Sequence, residues 1–164
     1  MTVAPPLRVF EFAFSSSLGA PAERVWAHAT RLEGVNRELA PLARMTPPRA
    51  FASLDLENAP LGRRVFRSWI LAFGFLPIDY DELTLVELEP GRRFFERSRM
   101  LTQRVWEHER VVEPVAGGCV LTDRVRFTPR VTGLGPVFRG IFRLTFRLRH
   151  RNLKRLFHAR EVGE

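Results

Sequence analysis

The sequence predicts an α+β fold, a curved antiparallel sheet of about seven strands wrapped around one long C-terminal helix, with two short helices after the first strand. Three observations lead there. Residues 134–160 hold a helical period for about seven turns, with no proline after Pro136 and Gly140 as the one weak point. From Ala50 to Thr128 the chain reads as strands punctuated by Gly- and Pro-bearing turns. The last three of those strands also carry opposite kinds of side chain on their two faces.

Residues 7–14 set Arg8, Phe10, Phe12 and Phe14 against Leu7, Val9 and Glu11, a strand with one aromatic face. Residues 15–20 read as a loop. Pro21 stands where a first helical residue belongs, and Glu23 suits the positive end of that helix. Its buried stripe is Ala22, Val25, Trp26 and Ala29. Gly34 is expected to break it, and residues 35–40 to form a second short helix stopped by Pro41. Residues 45–49, with Pro47 and Pro48, read as an irregular connector. Strands are expected at 51–56, 63–72, 78–88, 92–99, 103–112 and 120–128. Between them lie a turn at 58–62, the apolar turn Phe73-Gly74-Phe75-Leu76-Pro77, and turns at Pro90-Gly91 and Gly117-Gly118.

On a helical wheel of residues 134–160, Leu134, Val137, Phe138, Ile141, Phe142, Thr145, Phe146, Leu148, Leu153, Leu156 and Phe157 share one face. Arg143, Arg147, Arg151, Lys154 and Arg155 share the other. So wide an apolar arc exceeds what one neighbouring helix covers, which calls for a sheet. Arg149 and Arg160 project from the apolar side, where a guanidinium must reach water, pair with a carboxylate or face a polar pocket.

The last three strands fix their own orientation. Arg97 and Arg99, Glu107 and Glu109, and Arg124 and Arg126 share one parity and set a negative strand between two positive ones, as suits a solvent face. The other parity carries Phe94, Glu96, Ser98 and Met100, then Trp106, His108, Arg110 and Val112, then Leu121, Asp123, Val125 and Phe127. That second face must look toward the helix. It is apolar except for Glu96, His108, Arg110 and Asp123, and isolated buried charges have to be paired, solvated or used. We therefore expect an interior pocket, mostly greasy, with a small polar cluster.

The totals bound the rest. At 164 residues and 45% hydrophobic content, one domain spanning 1–164 with a real core is expected. No apolar run approaches the roughly 20 residues of a membrane span. Residues 1–6 show no signal-peptide pattern, and the single Cys119 excludes an internal disulfide and suits a reducing compartment, so a cytoplasmic location is expected. The net charge of +8 and pI near 11.3 would suit a polyanionic partner. Yet Lys154 is the sole lysine and the arginines are scattered, which reads as solvated faces with at most weak contact to an anionic membrane surface. No recognition element for nucleic acid is visible, and neither a specific nucleic-acid partner nor an obligatory protein partner is expected. His28, His108, His150 and His158 have no metal-ligand spacing with one another or with Cys119. Gly133-Leu134-Gly135 is no dinucleotide fingerprint, and no nucleophile elbow occurs, so neither metal nor cofactor is expected.

Four stretches resemble a known superfamily: Phe94-Phe95-Glu96-Arg97-Ser98, Trp106-Glu107-His108-Glu109-Arg110, the run from Gly118 through Asp123 to Phe127, and Phe157-His158-Ala159-Arg160. With the order of elements, they are similar to the SRPBCC superfamily, the START-type, birch-pollen-allergen-like and polyketide cyclase-like helix-grip proteins, over roughly residues 7–160. Arg110 stands where that pattern leads us to expect a second histidine. The resemblance implies a helix-grip fold and a hydrophobic ligand, lipid-, isoprenoid- or polyketide-like, between sheet and helix.

The expected lining is Phe94, Glu96 and Ser98, then Trp106, His108 and Arg110, then Leu121, Asp123 and Val125, with Phe142, Phe146 and Arg149 from the helix. A carrier, an aromatase/cyclase-like enzyme and a peripheral adaptor that binds anionic lipid or another polyanion through its arginine-rich surface all remain open. In the enzyme, His108 and Asp123 would be the catalytic pair for proton transfer. The competing structural reading of that polar cluster is an ion network that satisfies only itself. Phe73, Phe75 and Leu76 could form a pocket lip or pack against the N-terminal helices.

Overall fold

Alternating strand sequence with tight turns produces one meander, and the computed structural model describes residues 7–158 of it. The strands are β1 (Phe10–Leu18), β2 (Ala43–Thr46), β3 (Arg64–Ala72), β4 (Leu76–Glu89), β5 (Arg93–Met100), β6 (Gln103–Val115) and β7 (Gly118–Pro129). They form a seven-stranded sheet in the order β1-β7-β6-β5-β4-β3-β2, with every neighbouring pair antiparallel. The helices are α1 (Ala22–Ala29), α2 (Leu32–Leu39) and α3 (Gly135–Leu156). Register shifts in β3/β4, β4/β5 and β6/β7 bend the sheet around α3. This is the helix-grip architecture. Among the described residues, no helix is long and apolar enough to cross a membrane.

Four expectations need correction. β1 begins three residues later than expected and runs through Ser15, Ser16, Ser17 and Leu18, which pair with Thr122, Leu121, Val120 and Cys119. A serine run reads as loop, but a neighbouring strand supplies the ladder that local propensity does not. Gly34 lies inside α2 rather than ending α1. A Cβ there would stand 2.0 Å from the carbonyl oxygen of His28, so glycine allows the two short helices to meet.

Residues 51–56 form no strand. They lie between two 3-10 turns, Arg49–Phe51 and Leu56–Asn58, with Phe51 packed on Phe66 at 5.5 Å. The edge of β3 is taken instead by β2, which the two prolines after it had disguised as connector. Finally, the apolar stripe of α3 is gripped along only half its length. Phe146 and Leu153 are buried, with Phe157 just beyond the helix, whereas Val137 and Ile141 are at least half exposed. The first turns overhang a hollow rather than a packed sheet. Arg160 lies outside the described residues.

Two apolar clusters flank that hollow. One joins Val25 and Trp26 of α1 to Leu85, Phe94, Val112, Leu121, Leu153 and Phe157. The other joins Phe12, Met100, Trp106, Val125, Phe127 and Phe146. Burying each large side chain contributes about 1.5–3 kcal/mol. Polar side chains fill the seam between the clusters.

Candidate functional site

The inward parity of the last three strands is as expected. Glu96, His108, Arg110 and Asp123 are all buried, and on the outer face Arg97 meets Glu107 at 3.0 Å and Arg124 meets Glu109 at 2.7 Å. Register sets Glu96 beside His108 and Arg110 beside Asp123 across neighbouring strands. Arg110 is wholly buried and held by two carboxylates. Its Nε and Nη2 donate to Asp123 at 2.7 and 2.8 Å, and its Nη1 and Nη2 donate to Glu38 at 3.0 and 2.8 Å. Arg149, from α3, donates through Nε to the same Glu38 at 3.1 Å. His28 Nε2 lies 3.2 Å from Glu38 on the other side.

Asp123 is the second hub. His108 Nε2 is 2.7 Å from its Oδ1, and His150 Nε2 is 2.8 Å from its Oδ2. His150 Nδ1 is in turn 2.7 Å from Ser16 Oγ. The far side of His108 faces Glu96, with Nδ1 at 3.3 Å from Oε1, and Trp106 Nε1 donates to that oxygen at 3.1 Å. Asp123 thus meets two imidazoles, His108 from β6 and His150 from α3.

Protonation follows from these contacts. Burial favours the neutral acid at Asp123, but the charges and hydrogen bonds of Arg110 and His108 outweigh it and hold the carboxyl well below its usual range. Burial likewise opposes ionisation of Glu38, and the charges of Arg110 and Arg149 with the hydrogen bonds of Arg110 reverse it, holding that carboxyl low. Burial works against a charged His108, yet Asp123 and Glu96 overcome it, so the imidazole sits above its ordinary value. His108 is thus disposed to hold a proton and to donate one.

A cavity of about 350 Å³ opens between α3, β2–β4 and this cluster. Its wall is largely apolar, including Met45, Ile70, Met100, Trp106, Ile141 and Phe142. A smaller chamber of about 80 Å³ adjoins it toward α1 and α2, lined in part by Phe51, Phe66, Leu83 and Phe94. Met45, Asp81, Glu96, His108 and Arg149 line both spaces. Of the expected lining residues, Phe94, Glu96, Trp106, His108, Phe142, Phe146 and Arg149 reach a chamber wall. Ser98, Arg110, Leu121, Asp123 and Val125 do not. All five are buried. Leu121 belongs to the first apolar cluster and Val125 to the second. Arg110 and Asp123 are enclosed by their own partners, and Ser98 Oγ accepts the Thr84 amide at 3.2 Å.

The apolar turn between β3 and β4 is open rather than packed on the N-terminal helices. Phe73 and Phe75 are 66% and 74% exposed. Phe73 adopts φ 54°, a left-handed conformation uncommon for a phenylalanine, and lines the cavity, as does the half-exposed Ile78.

Sequence reasoning missed Glu38, His28, His150 and the two β4 carboxylates Asp79 and Asp81. The Asp residues had a signal, because Leu83 and Leu85 face inward and stepping back by two gives Asp81 and Asp79. Asp79 accepts the Tyr80 and Thr102 amides at 2.8 and 3.3 Å and the Thr102 hydroxyl. Asp81 is 6% exposed, and its Oδ1 has no hydrogen-bond partner. Burial, the negative charges of Glu96, Asp79 and Glu82, and only a partial offset from Ser98 push its carboxyl well above the usual range. Among the described residues, no group of three or more His, Cys, Asp or Glu side chains is disposed to hold a metal ion.

Solved structures share this architecture. A Chromobacterium violaceum protein superposes with a TM-score of 0.67 at 17% identity, over 90% of this chain and 97% of its own. The Zhui aromatase/cyclase from Streptomyces sp. R1128 gives 0.67 at 12% identity, over 94% and 100%. Ara h 8.0201 gives 0.63 at 9% identity, over 92% and 98%. These likenesses confirm the fold implied by the SRPBCC resemblance. No curated protein sequence matches the chain. A family model described as a domain of unknown function matches residues 16–157, and the protein belongs to that family, DUF8410.

Proposed function

We propose that the protein binds a small hydrophobic molecule, lipid-, isoprenoid- or polyketide-like, in the cavity between the sheet and α3. One observation carries this reading: a hollow of about 350 Å³ with a mostly apolar wall and a few convergent polar groups, Asp81, Glu96, His108 and Arg149. That combination is the usual form of a small-molecule site, and its size falls in the usual range of a few hundred cubic ångströms. Apolar burial drives binding, and the polar groups orient the guest. Native mass spectrometry of freshly purified protein, followed by uptake of an apolar fluorophore such as 1-aminoanthracene, tests it. A co-purified small molecule, or stoichiometric uptake blocked by Ile141→Trp, is expected. Protein that carries nothing and takes up no fluorophore would end the reading.

A second reading, an aromatase/cyclase-like enzyme, is favoured by His108 alone. This imidazole lines the cavity and is braced from behind by Asp123 at 2.7 Å. Held protonated, it would serve as general acid toward a guest carbonyl, with Asp123 as its positioning residue. Substitution separates the two readings. His108→Phe abolishes turnover in an enzyme, whereas a carrier keeps its apolar-ligand affinity within a few-fold.

A further inference from the structure

Every cation in the buried cluster already has a carboxylate. Arg110 is shared by Glu38 and Asp123, Arg149 lies on Glu38, and His108 lies between Asp123 and Glu96. Asp79 is satisfied by two amides and a hydroxyl. Three buried side-chain atoms among the described residues lack a hydrogen-bond partner, His28 Nε2, Gln103 Oε1 and Asp81 Oδ1, and of these residues only Asp81 lines the two chambers. A carboxyl so placed must either find a cation or keep its proton, since an unpaired buried carboxylate is strongly disfavoured. The groups around it decide which. Asp79 and Glu82 from β4 and Glu96 from β5 are anionic neighbours that resist a further negative charge. The cations that line the same space are Arg149 from α3, His108 from β6 and Arg31 before α2. The first two are engaged as described, and Arg31 faces Asp55 at 3.7 Å.

We infer that Asp81 acts as a neutral acid donating a hydrogen bond to the guest, so that the cavity takes a neutral, carbonyl-bearing apolar molecule rather than a fatty acid or an amine. The inference rests on the cavity-binding reading above and specifies its ligand class. A ketone, aldehyde, ester or lactone oxygen would supply an acceptor for the Asp81 proton from the cavity side. A carboxylate guest would meet Glu96 and the Asp81–Asp79 wall. An ammonium guest would meet the positive charges of Arg149 and His108, which line the same wall.

The test compares 2-undecanone, decanoate and decylamine by titration calorimetry on the full chain. The ketone is expected to bind at least tenfold more tightly than either ion. Asp81→Leu should weaken the ketone about fivefold, the worth of one neutral hydrogen bond, while Asp81→Asn, whose amide can donate, stays within about threefold. Ketone affinity should be flat in acid and fall as pH rises through the Asp81 titration. That fall should vanish in Asp81→Asn, where His108 still titrates.

Equal or tighter binding of decanoate overturns the inference. So does decylamine binding that strengthens with pH, or a ketone affinity indifferent to both substitutions. Failure of all three probes, together with no uptake of 1-aminoanthracene, overturns the cavity reading itself. Should Asp81→Leu not fold, as judged by near-ultraviolet circular dichroism, the pH profile of Asp81→Asn against the unaltered chain decides alone.

Discussion

Asp123 and Asp81 are both aspartates at inward positions of the same sheet, 1% and 6% exposed, and they live under opposite rules. Asp123 takes two bonds from Arg110 and one contact from each of His108 and His150. Asp81 has a buried oxygen without a hydrogen-bond partner. The first arrangement is complete without a guest, because each buried charge answers another across β6, β7, α2 and α3. The second leaves room for a guest to complete it. A closed network locks elements together, and an open one marks where the interior was left for another molecule. The expected catalytic pair straddles this boundary, since His108 lines the cavity and Asp123 stands behind it.

The largest test of the contrast is to break the closed side. Arg110→Met leaves Glu38 and Asp123 buried without their shared cation, and loss of one partner of a buried ion pair costs about 3–5 kcal/mol. Denaturant unfolding should show that loss, or no folded protein. A change under about 1 kcal/mol would mean that the network tightens nothing.

How far this contrast could be read beforehand depends on which side of it a residue lies. β5, β6 and β7 announced their faces because charge alternates with apolar side chains along Arg97, Glu107 and Arg126, so one parity excluded the other. Arg149 was legible as a cation on an apolar stripe. Glu38 was not, because it sits among ordinary polar residues of a short helix and its partners Arg110 and Arg149 lie 72 and 111 positions away. His150 was hidden for the same reason, its partner Asp123 being 27 positions distant and on a strand. The apolar arc of α3 was visible, but periodicity records only that a face avoids water. It does not distinguish a face packed on a sheet from one roofing a hollow, as Ile141 and Phe142 do.

Acidity sharpens the comparison next. Glu38 and Asp123 titrate below their unfolded values, so the stability they contribute is complete above the ordinary carboxylate range and is lost as pH falls below about 4. His108 titrates above its unfolded value, so its contribution is complete below about 6.5 and is lost as pH rises through the folded value. Asp81 works in the same downward direction. The folded chain keeps a proton that the unfolded chain releases above about 4, and stability declines with pH from there up to the folded value. Melting temperature should therefore peak on the mildly acidic side of neutrality, between about pH 4.5 and 6.5. A peak at pH 8 or above would contradict these assignments.

Asp81→Asn isolates the open side. At pH 7 it removes the need to hold a proton inside the fold and should raise stability by about 1 kcal/mol, within the common range for relieving a functional compromise. The gain should close as pH falls below about 4, where the aspartate becomes neutral in both folded and unfolded chains. A loss of stability at neutral pH would show that Asp81 belongs with Asp123, as part of the scaffold.

The smallest effect on stability is expected at the cavity lip. Phe75 is 74% exposed, so Phe75→Ser removes little buried surface and should shift stability by no more than about 0.5 kcal/mol. The same change takes apolar surface from the turn that carries Phe73 and Ile78 to the cavity mouth. If that lip guides a hydrophobic guest out of a lipid phase, transfer of 1-aminoanthracene from phosphatidylcholine vesicles should slow severalfold while its affinity at equilibrium holds. The mouth would then act on access and Asp81 on choice. Loss of affinity in step with the rate would instead make Phe75 part of the bound state, and the interior chamber would have to extend beneath it.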